Sequence, residues 1–293
     1  MANRRASAGA FSASLVAGLA LASLAAANPL ALIASFKGKV QVVPAKGGAA
    51  TSAAFGRALE RGDRVMVGAR GAATLFFSDG NVIELSERSS VTIGGRVADR
   101  PRVGHGSQLP GEVFSTVTRF VTGGSAQTGL VAMPSMRGGG EEATLLLAPR
   151  RTELLDVRPS FSWRAVDGAT RYRIAVSGGG GELWSRELPG TTIDYPSEVS
   201  ALAAGADYLW EVRAFDERGE QRHEESFFHV LPEADAVAVR GSLERIRDSA
   251  GGAESPACHF LSGSYLFGRG LYRDAAGHFE ALSRVSPESS APH

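Results

Sequence analysis

At 293 residues with 43% hydrophobic content, the chain is long enough to bury about two cores and is not a disordered polymer. Lysine plus arginine and aspartate plus glutamate each number 31, which leaves no basic excess for a nucleic-acid backbone or an anionic membrane surface. The 36 glycines point to many short strands joined by turns, and the lone Cys258 forms no intramolecular disulfide.

The N-terminus reads as an address. Arg4 and Arg5 precede an apolar stretch from about Ala10 to Ala27, with Ala25-Ala26-Ala27 as small residues for a peptidase. Residues 1–27 are therefore expected to be a secretory signal, cleaved before Asn28; retention as an anchor is the competing reading. The mature body is expected in the periplasm or secreted, and it meets a membrane only through this segment if the segment stays uncleaved.

From Phe36 the residues alternate. Val40 and Val42 share a face, Leu75 and Phe77 repeat the two-residue period, and Asp79-Gly80 sits between apolar alternations as a hairpin turn. Leu59 precedes a second turn at Gly62-Asp63, and Val91 and Ile93 continue the set. In this order (Gly38 and Val40, Leu59 with Gly62-Asp63, then Leu75, Phe77, Asp79-Gly80, Ile83 and Leu85) the residues resemble a FecR-type domain. Gln127-Thr128, Val131 and Arg137-Gly138 resemble its closing segment, with Gly129 where proline is usual. The resemblance implies a periplasmic sensing or binding β domain over residues 34–137 with no catalytic residues to carry over. Sigma-factor regulation is not transferred, because the segment responsible is cytoplasmic and residues 1–27 read as a signal. Asp63 and Asp79 are expected to bond local turn backbone in place of a metal.

Gly138-Gly139-Gly140 with Glu141-Glu142 reads as a linker, 138–144, before a new apolar register at Leu145. Phe161-Ser162-Trp163, Tyr172 to Val176 and Tyr208 to Ala214 alternate as strands. Pro159, Trp163, Gly168-Ala169, Tyr172, Leu202, Gly205, Tyr208 and Val212 resemble a fibronectin type III domain over 145–231. That resemblance implies a β-sandwich in which the Tyr208 hydroxyl ties a corner to upstream backbone. Trp163, Trp184 and Trp210 are expected in its core; a sugar-binding platform would instead need them exposed, Trp184 above all. Gly178 to Gly181 read as a hairpin tip, since no Lys-Ser or Lys-Thr follows to make a phosphate loop.

Over residues 233–287 the pattern turns helical. Val237, Leu243 and Ile246 fall near one stripe, Gly251-Gly252 ends that helix, and two more run from about Ala257 to Phe267 and Tyr272 to Val285. Gly263, Leu266, Ala275, Phe279 and Pro287 resemble a tetratricopeptide repeat, with His259 and Ser262 where large apolar residues are usual. Leu266 and Phe279 are expected between the paired helices, and Leu261 and Leu282 on a face that one repeat leaves uncovered. The tail must lean on the sandwich, a second copy or an external partner. Cys258, His259 and His278 lack ligand spacing for a metal.

The expected fold class is mainly β: a FecR-like β domain plus a fibronectin type III-like β-sandwich, followed by a small α-helical hairpin unit. No His-Glu-x-x-His, Gly-x-Ser-x-Gly or Cys-x-x-Cys motif occurs, so no catalytic, cofactor or metal residues are assigned. The expected function is non-enzymatic binding, sensing or scaffolding at the cell envelope, through protein contacts made by the tail, with an envelope polysaccharide as the alternative ligand.

Overall fold

A computed structural model describes residues 29–94, 108–123 and 144–286. The expected signal segment, the closing motif at Gln127 to Gly138, residues 138–143 of the linker and Pro287 lie outside the described residues. The described residues are mainly β, built from several antiparallel sheets, with four helices, three of them after the last strand.

Eight strands form the first β unit: β1 (Ala31–Lys37), β2 (Val40–Val43), β3 (Thr51–Ser52), β4 (Ala58–Leu59), β5 (Arg64–Val67), β6 (Ala72–Phe77), β7 (Val82–Leu85) and β8 (Ser90–Thr92). They make two four-stranded sheets, ordered β4-β1-β6-β7 and β3-β2-β5-β8. Between them lie Ile33, Val40, Val42, Val65, Leu75 and Phe77 among others, all buried. The alternation of these residues is the physical requirement of a strand with one face in a core.

Strands β1 and β6 depart from that alternation. Ala31-Leu32-Ile33-Ala34 is an unbroken apolar run with every residue fully buried, and Leu75-Phe76-Phe77 is another. Such runs belong to strands covered on both faces. Here Leu32, Ala34 and Phe76 point away from the sandwich into a layer of helices.

The first helix of that layer, α1 (Gly111–Gly123), falls inside the span expected to be β. Its β-branched residues suit strands, yet Val113, Phe114 and Val117 make one buried stripe, and Phe114 meets Phe76 edge-on with centroids 5.1 Å apart. Burial of the stripe overrides local propensity.

The C-terminal helices are α2 (Glu233–Ser249), α3 (Pro256–Gly268) and α4 (Tyr272–Val285). In α2 the buried stripe is Ala236, Val239, Ser242 and Ile246, with Leu243 packed against the same core, so the expected stripe holds at Leu243 and Ile246 and fails at the exposed Val237. Helix α3 starts with Ser255 accepting from Cys258 N at 3.0 Å and with Pro256 in its first turn, a favoured start. Every residue from Ala257 to Leu266 is buried, because α3 packs on β1, α1, α2 and α4 at once. Leu261, expected on an uncovered face, is fully buried. Leu266 is buried too, and Phe279 of α4 packs against the same core. The small Gly263 admits it, since a β-carbon there would stand 2.9 Å from the Phe279 ring.

The second β unit comprises β9 (Leu146–Ala148), β10 (Thr152–Leu154), β11 (Ser160–Trp163), β12 (Arg171–Gly178), β13 (Gly181–Leu188), β14 (Thr192–Asp194), β15 (Ala206–Asp216) and β16 (Gly219–Val230). A three-stranded sheet, β14-β11-β9, faces a five-stranded one, β10-β16-β15-β12-β13. The chain crosses from one sheet to the other between β9 and β10, where Pro149 interrupts ladder pairing, and β10 then runs parallel to β16. Trp163, Trp210, Phe161, Ile174 and Phe228 fill the space between.

The tail is fastened to this sandwich as well as to the first. Gly270, in the α3–α4 turn, accepts from Glu153 N at 3.0 Å and from the Thr152 hydroxyl at 2.9 Å. Tyr272 N donates back to that hydroxyl at 3.1 Å, and Arg273 donates to Ser160 O at 2.6 Å. The tail therefore leans on both β units of its own chain.

Candidate protein-binding surfaces

Strands β15 and β16 are long and paired along their length apart from a register shift at Ala214/Phe215, and are joined by a turn in which Asp216 accepts from Arg218 N at 2.7 Å and Gly219 N at 3.0 Å. Alternation sends Tyr208, Trp210, Val212 and Ala214 inward. The outward row on β15 is Asp207, Leu209, Glu211 and Arg213; on β16 it is His223, Glu225, Phe227 and His229. Leu209 and Phe227 break the polarity of these rows. They are directly opposed in the ladder, and they stand 40% and 57% exposed. Beside them an open groove of about 500 Å³ runs to the β12–β13 hairpin, lined by Ser177, Glu182, Asp207 and the glycine tip. Gly178 pairs with Gly181 there, so the glycine run is a hairpin tip.

Next to the apolar pair, Glu211 faces Glu225 across the ladder. His223 Nε2 lies 3.0 Å from Glu211 Oε2, and ligand atoms of Glu211, His223 and Glu225 all come within 4.8 Å of one another. These are the described residues best placed to hold a metal ion, though the Arg213 guanidinium already occupies Glu211 at 3.0 Å. Burial pushes the Glu211 pKa up, but the hydrogen bond and charge of Arg213, then those of His223, outweigh it and hold the carboxylate below its ordinary value. Sequence reasoning missed this cluster because it depends on strand register.

A second groove, of about 410 Å³, lies between the sandwich and α4. Leu147 and Tyr272, 47% and 45% exposed, flank it, with Arg150, Arg273, Ala276 and Glu280 along its walls. The staple between Thr152 and Gly270 fixes its two sides relative to one another.

The residues singled out from sequence fall as follows. Asp63 accepts from Ala45 N at 3.0 Å and Glu60 N at 2.9 Å, and Asp79 accepts from Asn81 N at 3.2 Å, so both brace turn backbone. All three tryptophans are core residues. Trp184 is only 7% exposed and packs on Tyr195 and Phe161 at 5.7 and 6.2 Å. The Tyr208 hydroxyl accepts from Ala203 N at 2.7 Å and donates to Ala203 O at 3.2 Å, the corner tie the resemblance implied. Cys258 is buried beside Ser262, and burial raises its thiol pKa, which keeps it inert. His259 and His278 do meet, Nδ1 to Nδ1 at 3.3 Å; burial first, then the His259 charge, lowers the His278 pKa.

Strand order, sheet switching and the tyrosine corner together define the second unit. It has a fibronectin type III-like fold. Among solved structures, the chain is similar to a cell surface anchoring domain, with 26% identity over 22% of this chain and 86% of that one, TM-score 0.21. It is similar to the fn3 domain of the human collagen alpha-1(XX) chain, with 16% identity over 32% and 93%, TM-score 0.24. A two-domain fibronectin type-III segment of chicken tenascin has 11% identity over 66% and 82%, TM-score 0.21. No protein-family model and no curated protein matches the chain. Among the described residues, no helix is long and apolar enough to cross a membrane.

Proposed function

We propose that this chain is a non-enzymatic, extracytoplasmic binding or scaffold protein of the cell envelope, periplasmic or secreted, that acts through protein–protein contacts. In this reading residues 34–137 are a FecR-like sensing or binding domain and residues 233–287 a single tetratricopeptide-like unit. The observation that carries the proposal is the groove between the sandwich and α4. Helix α3 is spent on contacts within the chain, so a partner meets the tail along α4, where Tyr272 and Leu147 stand exposed across a groove of fixed width. Exposed apolar groups on a rigid wall are the usual composition of a protein contact. The polysaccharide alternative drew on exposed tryptophans, and Trp163, Trp184 and Trp210 are buried.

The test uses protein recovered from the extracytoplasmic fraction, whose N-terminal sequence should start near Asn28. Affinity capture from envelope extract with the wild-type chain should retain a protein that the Leu147→Glu, Tyr272→Glu double variant loses while keeping its circular dichroism spectrum. Equal retention by both forms would remove the groove as the contact surface.

A further inference from the structure

We infer that the outer face of the five-stranded sheet is a second, independent docking surface, and that its occupant is a basic protein segment carrying an apolar side chain flanked by lysine or arginine. The apolar centre is the Leu209–Phe227 pair, directly opposed on neighbouring strands and open to solvent. A sheet face otherwise lined with charged and polar groups has no structural need for these two side chains, and their burial on the inner side is excluded because that side belongs to Tyr208, Trp210 and Phe228.

Charge chooses the occupant. One step along the ladder from the apolar pair, Glu211 and Glu225 face each other, an arrangement that is unfavourable without a cation between or beside them. Arg213 and His223 serve Glu211, while Glu225 is exposed and forms no ion pair among the described residues. One step the other way stands Asp207, its side chain nine-tenths exposed, with His229 Nδ1 at 2.8 Å. Glu182 on the groove wall is already held by Arg173 at 3.0 Å, so the carboxylates open to a partner are Glu225 and Asp207. The apolar centre is thus bracketed along the strands by carboxylates on both sides. This pattern repels an anionic membrane or nucleic acid, and it repels a second copy presenting the same face, since a two-fold contact would bring carboxylates against carboxylates. A segment with one large apolar side chain between cationic ones fits both features: its apolar group covers Leu209 and Phe227, and a cation completes Glu225.

The experiment pans a library of random twelve-residue peptides against the folded full-length chain and measures selected peptides by fluorescence polarisation. Enriched sequences should hold an aromatic or aliphatic residue flanked by Lys or Arg. Phe227→Ser should weaken them about tenfold or more, Glu225→Gln should weaken them by a smaller factor that vanishes at high salt, and Leu147→Glu with Tyr272→Glu should leave them unchanged. Loss in that last variant alone would assign the peptides to the α4 groove and overturn the inference while leaving the proposed function standing. Enrichment of peptides without basic residues, or binding indifferent to Phe227→Ser, overturns it as well. So does a dimer in sedimentation analysis that Phe227→Ser disperses, or Phe227-dependent binding of soluble peptidoglycan fragments with no basic peptide selected.

Discussion

The crossing of α1 and α3 is a close-packed joint, and Gly268→Ala tests it. A β-carbon at position 268 falls 2.5 Å from Thr116 Cγ2 and 3.4 Å from the Thr116 carbonyl oxygen. Carbon atoms pack best at roughly 3.5–4.0 Å, so α1 must retreat by about 1 Å or the side chains must leave their rotamers. Retreat is resisted: Thr116 is buried, Phe114 is locked against Phe76, and Arg269 holds Glu112 at 2.8 Å. Overpacking of this kind costs about 1–3 kcal/mol, while alanine in place of glycine returns at most about 1 kcal/mol of helix propensity, less at the last residue of a helix. A net loss of about 1–2 kcal/mol is expected, read as a lower urea midpoint by far-ultraviolet circular dichroism. Thr116→Ser removes the offending methyl group and should recover most of the loss in the double variant. Gly241→Ala in α2 is the control, because its β-carbon meets nothing closer than 4.0 Å; it should be neutral or stabilising by up to about 1 kcal/mol. If Gly268→Ala were as stable as Gly241→Ala, with no coupling to Thr116, the docking of the tail on α1 would be refuted.

Tyr208→Phe should cost about 1–3 kcal/mol, since it deletes both bonds to Ala203; tryptophan fluorescence reports the second unit selectively, as all three tryptophans belong to its core. For His278, the folded protein binds a proton less readily than the unfolded chain, whose imidazole titrates near 6.5. Stability should therefore decline as pH falls below 6.5 and the unfolded state takes up the proton first, and His278→Gln should flatten that decline in pH-dependent melts. Asp274 runs the other way: burial raises its pKa from 3.8 against the opposing charge of Arg273, so its contribution weakens as pH climbs above 3.8, and Asp274→Asn should gain stability at neutral pH.

Much of the architecture was legible because it rests on local chemistry. The turns at Gly62-Asp63 and Asp79-Gly80 and the boundaries of α4 follow from spacing or turn residues that act within a few positions, while the core tryptophans and the tyrosine corner came from the resemblance to a fibronectin type III domain. What escaped depends on neighbours distant in sequence. Helix α1 is rich in strand-preferring residues and is decided by Phe76 and Gly268. Val237 of α2 faces outward because the wall this helix meets is α3. The binding surfaces were hidden for the same reason: Leu209 and Phe227 become a pair only once β15 and β16 are in register, although the runs Tyr208-Leu209-Trp210 and Ser226-Phe227-Phe228, apolar on both faces, carried a trace of it.

Strand β1 has its second face covered by helices from the opposite end of the chain. During synthesis β1 emerges well before α3, with Leu32 and Ala34 on an apolar sheet face that stays wet until α3 has crossed. Closing so long a loop is slow, and an unpaired apolar sheet face in the interval invites aggregation. The order of synthesis and the order of completion are thus reversed: the first β unit is finished by α3, which is made long after it, and damage to α3 is felt at β1.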